Sequence, residues 1–213
     1  MNQVEYLIIE FAVEFYPSLM HVAHEYNISY SEIVNAAHSL FQNGDILASL
    51  HYGEDLEENE EIYNTVLTRS EIEAHLNGEF PVNYYLTPQG GAKWEALANP
   101  NWNQFFTTAF FDCPANKSGI IGGQRQILEK LLAMDCFMHE KHIPGTEVWD
   151  ILEPWKATYW KTLTKGYLVC YQKKSNYWYL DDEHTPITWA ESYEQAGRWY
   201  AKMTKWYTRP RFY

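Results

Sequence analysis

The chain has 213 residues, 46% of them hydrophobic and 21% charged, with a mean hydropathy of −0.46. This composition excludes a disordered chain and leaves room for one large core or two small ones. No run approaches the roughly 20 apolar residues that span a bilayer, and the start Met1-Asn2-Gln3-Val4-Glu5-Tyr6 lacks the basic and apolar regions of a signal peptide, so a cytoplasmic location is expected. The net charge of −12 is unevenly placed: residues 1–112 hold 17 acids against two bases, Arg69 and Lys93, whereas residues 113–213 hold 11 acids against 14 bases. Two domains are expected, an acidic one over 1–112 and an aromatic-rich one over 113–213. The cysteines, Cys113, Cys136 and Cys170, are odd in number and more than 20 residues apart, a pattern that suggests neither a disulfide framework nor a metal half-site, and they are read as reduced thiols.

In chain order, Leu7, Phe11 and Phe15 recur at helical spacing and predict a helix over 4–16 that ends near Pro17. Ser18 caps a short second helix through Glu25, and Asn27 stops it. Ser29-Tyr30-Ser31-Glu32 is a capping box that opens a third helix, and Asn43-Gly44 closes it. A strand follows at Ile46 to Tyr52. Next come six acids in eight positions, Glu54, Asp55, Glu57, Glu58, Glu60 and Glu61, a run that reads either as a solvated loop or as a docking surface, then a short helix around Ser70 to His75 and a second strand at Val82 to Leu86. Thr87-Pro88 pairs a favoured cap with a residue suited to the first helical position, so a helix starts there, with Trp94 and Leu97 as its apolar face.

Three helices, a strand, an interrupted wing, a strand and a helix form the order of a winged helix-turn-helix domain. The stretch Tyr84-Tyr85-Leu86-Thr87-Pro88-Gln89-Gly90-Gly91 resembles the strand-to-helix junction after the wing in MarR- and PadR-like regulators. The resemblance covers residues 4–110 and implies a winged-helix-like fold. It does not imply DNA binding, because the helix that would enter the major groove, Glu32 to Gln42, carries one acid and no base, and the wing holds the acidic run instead of a basic hairpin. A polyanion would be repelled by such a surface, so duplex DNA is not an expected partner.

In the second half, Asn116 to Gly123 reads as a turn-rich linker. Gly119-Ile120-Ile121-Gly122-Gly123-Gln124-Arg125 lacks the lysine and hydroxyl of a phosphate loop. A helix is expected from Gln124 to His139, with Ile127 and Leu131 on one face. Trp149, Trp155, Tyr159 and Trp160 crowd around Pro154, Tyr167 to Gln172 and Tyr177 to Leu180 read as a hairpin, and Thr188 to Lys205 reads as a helix before the basic Arg209-Pro210-Arg211. Bases among aromatics suit single-stranded nucleic acid, but aromatics at periodic positions more often form a core.

The fold class expected is thus α+β, a winged-helix-like domain followed by an aromatic-rich α+β domain. His21 and His24, and His139 and His142, stand at i, i+3 without a third ligand at metal spacing, and no G-x-S-x-G elbow occurs. Catalytic, cofactor and metal residues are therefore left unassigned, and no cofactor is expected. The expected function is a protein-interaction module whose acidic surface, Glu54, Asp55, Glu57, Glu58, Glu60 and Glu61, docks a basic protein partner, as immunity or antitoxin proteins or scaffolds do. The alternative is a transcription-regulator-like nucleic-acid-binding protein, with an enzyme third. No membrane is expected, and a homodimer is compatible with either reading.

Overall fold

A computed structural model describes residues 1–50, 63–79, 81–109, 112–115, 117–135, 142–173, 197–198, 200–202 and 204–212. The described strands pair only antiparallel and helices flank them in sequence, so the chain is of mixed α and β class. Its contacts divide it into two compact units. The first comprises Met1–Asn99, Thr158–Lys161 and Arg209–Tyr213, and the second comprises Pro100–Ala157 and Thr162–Thr208.

In the first unit, α1 (Gln3–Phe11), α2 (Leu19–Tyr26) and α3 (Tyr30–Gln42) are each opened by a polar side chain that accepts from an orphan backbone N–H: Asn2 from Glu5, Ser18 from His21 and Ser29 from Glu32. Asn27, with φ of 51°, and Gly44, with φ of 70°, end α2 and α3 in the left-handed region that Asn and Gly tolerate. Helix α1 stops at Phe11, earlier than the apolar spacing suggests. The carbonyl of Ala12 accepts from the Tyr159 hydroxyl at 2.5 Å and that of Val13 from Trp160 Nε1 at 2.9 Å, so orphan C=O groups just past the helix are satisfied by side chains instead of a further turn. Phe15 is consequently half exposed, and Ile8 and Ile9 carry the buried face.

Strand β1 (Ile46–Leu50) lies between β2 (Tyr63–Thr65) and β3 (Asn83–Leu86), antiparallel to both, with Ile46 opposite Leu86. The strands expected at 46–52 and 82–86 pair directly through residues 46–49 and 83–86, with 51–52 outside the described residues; β2 was not foreseen. Between β2 and β3, α4 (Arg69–Leu76) opens on a Thr68/Glu71 capping box, and after β3, α5 (Pro88–Ala98) opens on Thr87 with proline at its first position. Trp94 of α5 is fully buried whereas Leu97 is exposed, so the apolar face runs through Trp94 and Ala98 rather than Leu97.

The second unit holds a four-stranded sheet in the order β4 (Phe106–Thr108), β5 (Ser118–Gly122), β9 (Gly166–Tyr171), β6 (Val148–Leu152), and a small hairpin of β7 (Trp155–Lys156) with β8 (Thr162–Leu163). Helix α6 (Arg125–Asp135) lays Ile127, Leu128, Leu131 and Leu132 against Ile120, Val169 and Tyr171. Removing such side chains from water contributes about 1.5–3 kcal/mol each. Two expectations are corrected here. Residues 118–122 are a central strand and not a linker, because Ile120 and Ile121 supply apolar area that the sheet buries. The join expected at 112–113 falls inside the second unit, since β4 and β5 on either side of it are hydrogen-bonded partners. The strand expected at 177–180 and most of the helix expected over 188–205 lie outside the described residues; residues 197, 198 and 200–202 are helical.

Candidate functional site

The acidic run proposed as an interaction surface, Glu54, Asp55, Glu57, Glu58, Glu60 and Glu61, lies outside the described residues. The cations of the first unit have partners of their own. Lys93 Nζ reaches the buried carboxylate of Asp45 at 2.7 Å, and Gln89 Nε2 donates to the same carboxylate at 2.8 Å and to the Asn43 carbonyl at 2.7 Å. Arg69 faces Glu73 at 3.4 Å and donates to the Asn35 side chain on α3 at 2.6 Å. Lys161 faces Glu95 at 2.6 Å. None of the exposed side chains of α3 itself, among them Ser31, Glu32, Asn35 and Gln42, is a base, and the guanidinium at Asn35 comes from Arg69 on α4.

The Asp45 network also explains the Gln89-Gly90-Gly91 stretch that carried the resemblance. A Cβ on Gly90 would overlap the Asp45 carbonyl, and one on Gly91 would overlap the Trp160 ring. Glycine in a helix interior costs about 1 kcal/mol relative to alanine, and here that cost permits α5 to approach the α3–β1 turn at backbone distance. Thr87 completes the joint by donating to the Gly44 carbonyl at 2.7 Å.

A second cluster was not legible in the sequence. Glu10, on the buried side of α1, is 3% exposed at its side chain, and its Oε1 accepts from the Tyr6 hydroxyl at 3.1 Å and from Arg209 Nε at 2.9 Å. Its Oε2 is buried and has no hydrogen-bond partner among the described residues. The Arg209 guanidinium stands 6.0 Å from the Tyr26 ring centroid, and Phe212 packs on Tyr6 with centroids 5.4 Å apart. Burial, and after it the charge of Glu10, push the Tyr26 phenol above its ordinary range. Close by in sequence, Phe11 meets Tyr26 edge-on at 5.9 Å. The only advance signal was an acid on the apolar side of a helix, which periodicity treats as noise.

In the second unit Phe105, Trp155 and Trp206 are buried, with Phe105 4.7 Å from Trp206 and Trp102 4.8 Å from Trp206. These aromatics form core, and Arg125 covers Trp149 at 4.4 Å from the ring centroid. His142 hydrogen-bonds Glu147, whose other oxygen accepts from the Gly145 amide at 2.8 Å, and that bond to His142 holds the Glu147 carboxyl below its usual range. His142 thus braces a turn; His139, its expected companion, lies outside the described residues, and His21 and His24 are exposed on α2. Among the described residues no three metal-ligating side chains converge.

The reading of three reduced thiols is corrected: Cys113 and Cys170 form a disulfide. Gly119 on β5 lies opposite Cys170 on β9, and a Cβ on Gly119 would overlap the Cys113 sulfur. Neither spacing nor motif announces this pair, because its partners are 57 residues apart and meet only through sheet register.

No family model, curated protein or solved structure matches this chain. Among the described residues, no helix is long and apolar enough to cross a membrane.

Proposed function

We propose that the first unit is a protein-interaction module whose acidic surface docks a basic protein partner, in the manner of an immunity or antitoxin protein or a scaffold. The observation that supports it most directly is that residues 1–112 hold 17 acids against two bases, and that Arg69, Lys93, Lys161 and Arg209 each already face a carboxylate. Long-range attraction from such a surface raises the encounter rate with a cation more than it raises the final affinity. In this reading the order α1-α2-α3-β1-β2-α4-β3-α5 is a winged-helix-like scaffold whose third helix offers no phosphate contacts, and pairing of two copies through it is compatible with docking.

The test is stopped-flow association of the full chain with a labelled poly-arginine peptide at two ionic strengths, for the wild type and for the combined Glu57→Gln, Glu58→Gln, Glu60→Gln and Glu61→Gln variant. The variant is expected to associate more slowly and with a flatter salt dependence. Equal rates remove the acidic run from the surface. Gel shift of duplex DNA by the full chain at about 0.15 M salt separates the alternative: micromolar binding would favour the regulator-like reading. A cytoplasmic placement, proposed from the sequence, requires Cys113 and Cys170 to persist as a disulfide in a reducing compartment or to be a dithiol there; thiol alkylation at cell lysis decides between them.

A further inference from the structure

We infer that the cluster of Glu10, Tyr6 and Tyr26 is a recognition site for an arginine-containing basic peptide of a partner protein, and that the chain's own Arg209–Phe212 segment occupies it as a displaceable stand-in. The inference rests on the basic-partner reading and narrows it to one site and one ligand class.

Three observations carry it. Glu10 is a nearly fully buried carboxylate on an otherwise apolar helix face, an arrangement that costs several kcal/mol unless a cation and hydrogen bonds compensate it. The compensation is incomplete: Arg209 Nε–H and the Tyr6 hydroxyl both go to Oε1, and among the described residues no donor reaches Oε2. A guanidinium presented edge-on could place two parallel N–H groups on the two oxygens, the bidentate geometry that makes arginine–carboxylate pairs strong. The resident arginine, which also lies over the Tyr26 ring, keeps 61% of its side chain exposed, so a solvent-borne guanidinium can compete for the same carboxylate. The carboxylate therefore remains in need of a better partner than the one it has.

The surroundings define the ligand. The Tyr26 ring lies beside the guanidinium and Tyr6 offers its ring to Phe212, so the site reads a cation and an aromatic side chain three residues apart. Proline at 210 favours an extended backbone for the residue before it, which spaces the two side chains without a helix. A partner segment with an arginine followed three residues later by an aromatic ring would fit the same contacts, and its binding would free the resident segment.

The probe is a fluorescein-labelled peptide Thr-Arg-Pro-Arg-Phe-Tyr, followed by anisotropy with three full-length proteins: the wild type, the vacated Arg209→Ala/Phe212→Ala variant, and that variant carrying Glu10→Gln. The vacated protein is expected to bind roughly tenfold tighter than the wild type, and Glu10→Gln to abolish that gain, the size expected for one hydrogen bond to a charged group. A scrambled peptide of the same composition is expected to bind as weakly as the peptide does to the Glu10→Gln protein. Equal binding of scrambled and ordered peptides would leave general acidic docking standing and overturn the site. Equal binding by the wild type and the vacated protein, or no effect of Glu10→Gln, would overturn it as well. If the vacated variant loses its near-UV circular dichroism, the wild type supplies the answer: excess peptide should move the Arg209 Nε–H resonance, and an unmoved resonance marks the segment as a fixed part of the fold.

Discussion

Breaking the Cys113–Cys170 bond should destabilise the second unit by an amount that follows from chain length. The two residues are 57 apart, and cross-linking a loop of that size removes denatured-state entropy equivalent to about 4 kcal/mol at 25 °C, with residual structure in the unfolded chain trimming this towards about 2. For a unit of about 100 residues each kcal/mol moves the melting temperature by roughly 4–8 °C, so a loss of roughly 8–32 °C is expected on full reduction. The assay pairs differential scanning calorimetry, with and without a phosphine reductant, with thiol titration in denaturant. The oxidised chain should show one reactive thiol, Cys136 by elimination, and the reduced chain three. A Cys113→Ser/Cys170→Ser variant should melt with the reduced protein, since serine restores neither the cross-link nor much steric bulk. Three thiols before reduction would refute the pairing itself. One thiol before, three after, and an unchanged melt would refute the reasoning that the bond acts by constraining the unfolded chain.

Gly90→Ala places a methyl group against the Asp45 carbonyl and should lower stability by more than about 1–3 kcal/mol, despite the better helix propensity of alanine; a denaturation midpoint at or above the wild type would show that α5 can move away freely. Burial raises the phenol of Tyr84 well above its ordinary range, and burial likewise raises that of Tyr159. Both are neutral in the folded state where an unfolded tyrosine ionises near pH 10, so their contribution is complete below that pH and declines as pH rises above it. An ultraviolet titration at pH 11 should leave these two un-ionised until the protein unfolds, and Tyr159→Phe should lose the hydrogen bonds to Ala12 and Leu86 while softening the alkaline transition.

Much of the local structure of the first unit was determined by the sequence itself. Caps such as Ser18, Ser29 and Thr87 act on amides two or three residues ahead, and Asn27 and Gly44 adopt left-handed backbone because Asn has a short polar side chain and Gly has none, so these helix boundaries need no knowledge of the rest of the chain. The strands at Ile46 and Asn83 are likewise legible as segments, whereas their register, Ile46 opposite Leu86 and Ala48 opposite Tyr84, is fixed in the folded sheet. Tertiary structure decided what depends on distant partners. Just past the end of α1, Tyr159 and Trp160 take the carbonyls of Ala12 and Val13, 147 residues away. Gly119 is small because the Cys113 sulfur lies beside it, and glycine-rich 118–122 is a strand because β4 and β9 flank it. Glu10 meets a cation because residue 209 returns to α1. A hydrogen bond or ion pair over such separations leaves no periodic trace in sequence, since its cost in chain entropy depends on the path of everything between its ends.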